Sequence, residues 1–116
     1  MDSRDSAPND YSLAELLTCV ASRLLKDNQS IFVGTGLPMI ATMLAQRTHA
    51  PHILIIFEAG GIGPRVPVLP ISVGDSRTFY KAVAATSMHD VMSAAQAGYI
   101  DYGFLGAAAI DVYGNL

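Results

Sequence analysis

The stretch Ile53-Leu54-Ile55-Ile56-Phe57-Glu58-Ala59-Gly60-Gly61 decides the fold of this chain. Five apolar residues in succession predict a buried strand, and the strand ends on a carboxylate. The residues that follow the carboxylate are too small to cover it. We interpret the stretch as a strand that presents Glu58 at its tip, and the rest of the chain as the frame and pocket around that acid.

The residues before this stretch predict a strand and a helix. The apolar run 30–33 is a short strand that ends at Gly34-Thr35-Gly36. Pro38 suits the first turn of a helix, which should run to about Arg47 with an apolar face made by Ile40, Met43 and Leu44. Strand, helix and strand form a βαβ unit, which implies two parallel strands with a right-handed crossover.

An amphipathic helix is predicted over 13–26, ahead of the first strand. Ser12 and Glu15 have the spacing of a capping box. Cys19 lies within the helix, and we interpret it as a small packing residue because free cysteines are commonly buried. Residues 1–11 are polar and are expected to be a disordered leader. The apolar stripe of the helix is expected to belong to the core, and it consists of Leu13, Leu16, Leu17, Val20 and Leu24.

The second half of the chain is less regular. Glycines and prolines over 60–70 predict irregular structure, 73–76 another turn, and 79–85 is ambiguous between helix and strand. Ser87 should cap a further helix that ends at Gly98, followed by a strand over 102–105 and a closing turn over 111–116. The inner stripe of that helix is expected to be Met88, Val91, Met92 and Ala95. The pattern predicts an α/β fold with an open, mainly parallel sheet and flanking helices.

Composition excludes several classes of function. Hydrophobic residues make up 51% of the 116 residues and charged residues 15%, so we expect other protein to cover much of the surface. The net charge of −3 gives no basic footprint for nucleic acid, and no apolar run approaches the roughly 20 residues of a membrane span. The single cysteine suits a reducing compartment, so we expect a cytoplasmic protein. His49, His52 and His89 lack the spacing of a metal site, and no metal is expected.

Three features should meet at the carboxyl ends of the strands, where open α/β sheets bind their ligands. They are Gly34-Thr35-Gly36, Glu58 and Gly106-Ala107. Their backbone N–H groups are suited to stabilising an oxyanion near the acid. Each feature also has a simpler interpretation. The glycine turn is then an ordinary strand-to-helix turn, and as a dinucleotide fingerprint it is poor. The simpler interpretation of Glu58 is a cap, or a partner of Arg65 or Arg77.

Four motifs stand in this chain in a fixed order and spacing. They are Val33-Gly34-Thr35-Gly36-Leu37-Pro38, Glu58-Ala59-Gly60, Ser72-Val73-Gly74-Asp75-Ser76-Arg77 and the run from Phe104 to Asn115. In that order and spacing they resemble the family I CoA-transferases, in particular B (beta) subunits of the glutaconate CoA-transferase type, and the similarity extends from about Ser12 to the last residue. Those subunits continue beyond an Asp-x-Tyr-Gly-Asn motif, so the chain is expected to be truncated at its C-terminus. Residues 12–116 would then be the N-terminal portion of a beta-subunit domain of the CoA-transferase (NagB/RpiA-like) fold.

The resemblance implies that Glu58 is the catalytic nucleophile, which takes CoA from an acyl-CoA as a glutamyl-CoA thioester and passes it to a carboxylic acid. It also implies an A (alpha) subunit as partner in a hetero-oligomer. No cofactor would be permanently bound, because the coenzyme A thioester is a substrate. The residues that match the CoA and oxyanion site are Gly34, Thr35, Gly36, Gly60, Gly106 and Ala107.

The chain departs from the family pattern at several positions. Ala59 replaces a serine, and Ala107 and Ala109 replace a glycine and a glutamine. A methyl group at 107 requires that this residue does not have positive φ. Gly61-Ile62-Gly63-Pro64 is closer to the oxoacid-transferase relatives. An acyl-CoA hydrolase on the same scaffold therefore stays open, as does a non-catalytic binding subunit or an inactive fragment.

Overall fold

A computed structural model describes residues 10–70, 72 and 74–116, so the predicted leader, apart from its last two residues, and position 73 of the predicted turn lie outside it. Three α-helices and five strands make up the regular structure of this part of the chain. None of these helices is both long and apolar enough to cross a membrane. In chain order the elements are α1 (Leu13–Leu24), β1 (Ser30–Val33), α2 (Leu37–Arg47), β2 (Leu54–Phe57), β3 (Gly61–Ile62), a 3₁₀ turn (Ser76–Phe79), β4 (Ala84–Ala85), α3 (Met88–Gln96) and β5 (Tyr102–Phe104).

The strands form one sheet in the order β4-β3-β2-β1-β5. β1 pairs in parallel with both β2 and β5, which confirms the predicted βαβ unit and the mainly parallel sheet. β3 and β4 add an antiparallel pair at the other edge, where the sequence indicated irregular or ambiguous structure. Each of these strands has two residues, and a run that short carries no period-2 signal.

The core lies between the sheet and α2. Ile31, Val33, Ile55 and Phe57 belong to it together with Met39 and Met43 of α2. Successive side chains of a strand point to opposite faces, so Phe32 and Ile56 lie on the other face of the sheet. Each apolar side chain buried in this way contributes roughly 1.5–3 kcal/mol to folding.

Helix α1 has the predicted capping box, in which Ser12 accepts from the Glu15 N–H and Glu15 accepts from the Ser12 N–H. Its orientation differs from the prediction. Thr18 and Ser22 are buried, whereas Leu13 at one end of the apolar stripe is 83% exposed. The prediction that the stripe packs inward was wrong because the contact with α2 is made through small residues.

Small residues let two helix backbones approach closely, and α2 contributes Ala41 and Ala45 to the buried set. The stripe is left on the outer side of α1. Cys19 is also exposed, which corrects its interpretation as a packing residue.

Helix α3 begins and ends as predicted, at the Ser87 cap and at Gly98 with φ of 83°. Its expected inner stripe is wrong except for Val91, which is buried, since Met88 and Met92 are exposed. Similarly, Ile40 of the predicted face of α2 is exposed, and Met43 alone of that face is fully buried.

Hydrogen bonds at both ends hold β5 in register with β1. At the start of the strands, Asp101 Oδ2 accepts from the Ser30 N–H at 2.9 Å and from the Ser30 hydroxyl at 3.2 Å. At the far end, the Gly34 N–H donates to the Phe104 carbonyl at 2.8 Å. β5 is therefore fixed along its whole length, although it lies at an edge of the sheet.

An ion pair joins the loop before β1 to the loop before β2. The His52 N–H donates to Asp27 Oδ1 at 2.6 Å, and His52 Nδ1 lies 2.9 Å from Asp27 Oδ2. The side-chain hydrogen bond to His52 is the main reason why the pKa of Asp27 is lowered. A lowered folded-state pKa stabilises the fold above the unfolded pKa, and this contribution is lost as the pH falls through the folded value.

We therefore expect His52→Ala to raise the pKa of Asp27 toward its ordinary value. The shift should be partial because the backbone N–H bond remains. A ¹³C NMR titration of the Asp27 carboxyl would measure it, and His89→Ala at the start of α3 is the matched control. An Asp27 titration that is the same with and without the imidazole would contradict the assignment.

Candidate functional site

The carboxyl ends of the three parallel strands lie side by side. Val33 pairs with Phe57 on one side and with Phe104 on the other. The next residues, Gly34, Glu58 and Leu105, therefore enter loops at the same edge of the sheet. The sequence predicted that the glycine turn after β1, Glu58 and the Gly106-Ala107 segment after Leu105 would meet at one edge, which is where an open parallel sheet binds its ligands.

Glu58 lines a pocket of about 440 Å³. It follows Phe57, so it falls on the face of the sheet opposite α2. The pocket is lined mainly by apolar side chains, and Glu58 itself is half-buried. The lining includes Phe32, Met92, Ala95, Ile100, Asp101 and Leu105.

The Glu58 carboxylate has no hydrogen-bond or ion-pair partner within the described ranges. The suggested pairing with Arg77 is not found there, because Arg77 donates to the Leu69 carbonyl at 3.3 Å and lies 3.7 Å from Asp75. No pairing with Arg65 is found there either. A carboxylate without a protein partner that faces a pocket is available to react with a ligand.

The glycines after Glu58 pack the turn that carries it. Gly60 has φ of 113°, and a Cβ there would collide with the backbone carbonyl of Thr86. Its N–H donates to the Phe57 carbonyl at 3.0 Å, and its own carbonyl accepts from the Thr86 N–H at 2.9 Å. Gly60, a predicted site residue, is buried, and its N–H is used in a hydrogen bond within the turn. The sequence suggested that the small residues after Glu58 leave open space beside it. These glycines instead pack against neighbouring backbone and do not leave such space.

The glycine turn after β1 allows close packing against β5 and also begins α2. A Cβ on Gly34 would lie 3.3 Å from the Phe104 carbonyl, so the absence of a side chain allows β5 to come close. Gly36 has φ of 88° and is the N-cap of α2, without a side-chain cap. Thr35 is exposed between them. The N-terminus of α2 thus points the Leu37 N–H and its partial positive charge toward the ligand-binding edge.

Gly106 and Ala107 line a second pocket, of about 450 Å³, beneath α1 and α2. The two pockets lie on opposite faces of the sheet and share Gly103 and Leu105 of the β5 segment. The structure therefore brings these residues to the same edge as Glu58 and not into the same pocket. Non-glycine residues with positive φ in the described part of the chain are Asn28 and Lys81, so the Ala107 methyl group is accommodated.

Residues that line the Glu58 pocket were missed in the sequence. Phe32 could have been found from the alternation of β1, which places it on the same face as Glu58. Met92 was assigned to the core because a methionine at helical spacing has no feature that marks a pocket. Asp101 carried no signal, since its neighbour Ser30 is 71 residues away in the chain.

The remaining polar groups serve the fold. Within the part of the chain that the structure describes, no group of three or more His, Cys, Asp or Glu side chains could hold a metal ion. His49 Nε2 lies 2.9 Å from the Leu25 carbonyl. Asp111 accepts hydrogen bonds from the Tyr113 and Asn115 N–H groups, which form the predicted closing turn. Hydrogen bonds from Asn115 are the main reason why the pKa of Asp111 is lowered.

The family model for coenzyme A transferases matches residues 15–116 of this chain. The B subunit of the 3-oxoadipate CoA-transferase of Pseudomonas knackmussii is 41% identical over 107 residues, which make up 91% of this chain and 41% of that protein. The B subunit of the glutaconate CoA-transferase of Acidaminococcus fermentans is 30% identical over 112 residues, or 92% and 42% of the two chains. The chain spans about two fifths of the length of these relatives.

Solved structures agree with this assignment. The glutaconate CoA-transferase of Acidaminococcus fermentans superposes with a TM-score of 0.79 at 30% identity, over 91% of this chain and 43% of that one. The decarboxylase AibA/AibB superposes with a TM-score of 0.79 at 28% identity, over 90% of this chain and 44% of that one. The chain therefore belongs to the coenzyme A transferase family.

Proposed function

We propose that this chain is part of a CoA-transferase subunit that moves CoA from an acyl-CoA to a carboxylic acid through a thioester on Glu58. The observation that supports this most strongly is the position of Glu58. Its carboxylate has no partner in the described part of the chain, and Glu58 lines a pocket at the carboxyl edge of the parallel strands. A nucleophile must be exposed to its substrate and held by a rigid element, and β2 provides that support.

The chemistry proceeds by acyl exchange in two stages. A carboxylate oxygen of Glu58 attacks the thioester carbonyl carbon, and the CoA thiolate leaves to give a mixed anhydride. The thiolate then attacks the Glu58 carbonyl carbon and releases the first acid, which leaves CoA joined to Glu58. An incoming carboxylate reverses these steps, so no redox change and no permanently bound cofactor is needed.

Backbone donors at the same edge would stabilise the oxyanions. The N–H groups of Leu37, Gly106 and Ala107 lie at this edge and find no backbone acceptor among the described residues. Preorganised donors of this kind lower the barrier because they need no reorganisation as charge develops. Gly34, Thr35, Gly36 and Gly60 shape the loops that hold the donors and the acid.

We further propose that an A-type subunit completes the enzyme and that the assembly works in the cytoplasm. The two relatives at 41% and 30% identity are both B subunits. Exposed apolar side chains on α1 and in the last residues, including Leu13, Val112 and Tyr113, are more extensive than a monomer normally leaves in water. These faces are suited to burial against further protein.

Two other functions use the same scaffold. Water in place of the acceptor acid would make the protein an acyl-CoA hydrolase, and the similarity to the decarboxylase AibA/AibB indicates that this fold also supports decarboxylation. A binding subunit without catalysis would leave Glu58 without a role. Retention of a glutamate at the strand end favours transfer over these alternatives.

Omission of the acceptor acid separates transfer from hydrolysis. We expect the protein as its gene encodes it, co-expressed with its partner subunit, to release free CoA from acyl-CoA at least tenfold more slowly than it forms a new acyl-CoA when an acceptor is present. Liquid chromatography of CoA and acyl-CoA measures both rates. Equal rates with and without acceptor would assign the protein as a hydrolase.

A further inference from the structure

The Glu58 pocket extends along β5 as well as opening at the edge of the sheet. Leu105 lies level with Glu58, because Phe104 is in register with Val33 and Phe57. Asp101 also lines the pocket, at the other end of β5. The three residues of β5 separate Asp101 from Leu105, and the four residue steps between them correspond to roughly 13 Å. An acyl group held at Glu58 thus has a path along the strand in front of it.

The side chains on this path are apolar and only partly covered. Phe32, Met92 of α3 and Leu105 all line the pocket, and Met92 is 42% and Leu105 62% exposed. An apolar ligand that covers such side chains gains free energy from the water it displaces. Each methylene group buried in this way increases kcat/KM by about fourfold.

Gly103 leaves the middle of the path open. It lies in β5 between Asp101 and Leu105, and a Cβ there would meet no atom within 4 Å. A larger side chain can therefore be built at this position without displacing the backbone, and it would narrow the pocket.

The far end of the path carries a fixed negative charge. The Asp101 carboxylate is held by the Ser30 N–H and hydroxyl, both of which donate to Oδ2. Asp101 is exposed, so water weakens its field, but a second carboxylate on the acyl group placed directly beside it would still be repelled because the two charges have the same sign.

We infer that the acyl group that binds at this wall has an uncharged apolar tail, so that the preferred substrate is a medium-length monocarboxylic acid and its CoA thioester. The inference rests on the proposed function of Glu58 and names the substrate class for that site. It differs from the dicarboxylic acids in the names of the two relatives at 41% and 30% identity. The apolar path and Asp101 support it independently of those names.

The test compares hexanoyl-CoA with adipoyl-CoA, which have equal chain lengths and differ in one terminal carboxylate. The protein as its gene encodes it, assembled with its partner, is expected to use hexanoyl-CoA with at least tenfold higher kcat/KM than adipoyl-CoA.

Variants test the lining of the pocket. Gly103→Val should lower the ratio of hexanoyl-CoA to acetyl-CoA activity by about tenfold, and Asp101→Asn should raise adipoyl-CoA activity. Ala85→Val in β4, at the opposite edge of the sheet, is the matched control. Met92→Ala provides a second variant, which should shift the preference toward longer chains.

Three results would overturn the inference. The first is a preference for adipoyl-CoA, and the second is a hexanoyl-to-acetyl ratio that neither Gly103→Val nor Met92→Ala changes. In both cases, labelling of Glu58 by acyl-CoA would show that the proposed function survives. The third is the absence of any Glu58 adduct with all three thioesters, which would overturn the proposed function as well.

Discussion

Replacement of Glu58 by glutamine is expected to reduce CoA transfer by on the order of 10⁴-fold or more, because an amide cannot attack the thioester and cannot carry CoA. The substitution preserves the size of the side chain, and the Glu58 carboxylate makes no hydrogen bond within the described residues, so folding should be unaffected. Steady-state kinetics of the assembled enzyme and a melting curve measure the two effects. Glu15→Gln is the matched control, since glutamine also completes the capping box at Ser12.

Glu58→Asp extends the same argument to geometry. The shorter side chain withdraws the attacking oxygen by about 1 Å, enough to cost on the order of 10²-fold in rate. The turn after Glu58 is fixed by the packing of Gly60 under Thr86, so the backbone cannot move to compensate. Activity of Glu58→Asp close to wild type would show that Glu58 is not the attacking group.

Gly60→Ala is expected to destabilise the protein by roughly 2–4 kcal/mol, the largest effect on stability that we predict. The residue has φ of 113°, and a methyl group there would collide with the Thr86 carbonyl, which is backbone and cannot rotate away. The turn would have to open, which would break the hydrogen bonds that join Gly60 to Thr86.

Gly103→Ala is the control for this experiment. It introduces the same methyl group where no atom lies within 4 Å and where φ is not positive, and we expect a change within about 1 kcal/mol. Denaturant unfolding of the assembled protein measures both variants. Equal stability of the two would contradict the packing of Gly60 against Thr86.

The sequence predicted the elements that have strong local signals. The apolar run before Glu58, the caps at Ser12 and Ser87 and the glycine after α3 each specify a boundary through the chemistry of a few neighbouring residues. The meeting of Gly34, Glu58 and Leu105 at one edge followed from parallel pairing, which the βαβ pattern already implied.

The errors concern which side of an element is buried. Periodicity locates an apolar stripe on α1 but not the partner that covers it, and contact with α2 is made through Thr18 and Ser22 instead. The Glu58 pocket depends on the distant pair Ser30 and Asp101 and on the position of α3, which no local pattern encodes. Local sequence patterns therefore could not predict the contacts between residues that lie far apart in the chain.

The covalent thioester is the central claim, and intact-mass analysis tests it most directly. The assembled protein would be incubated with acyl-CoA, trapped with borohydride or hydroxylamine, and digested to locate the modification. We predict an increase equal to the mass of CoA less that of one water before trapping, and a modified peptide that maps to Glu58 after it. An unmodified Glu58 peptide from protein that is active in transfer would contradict the account.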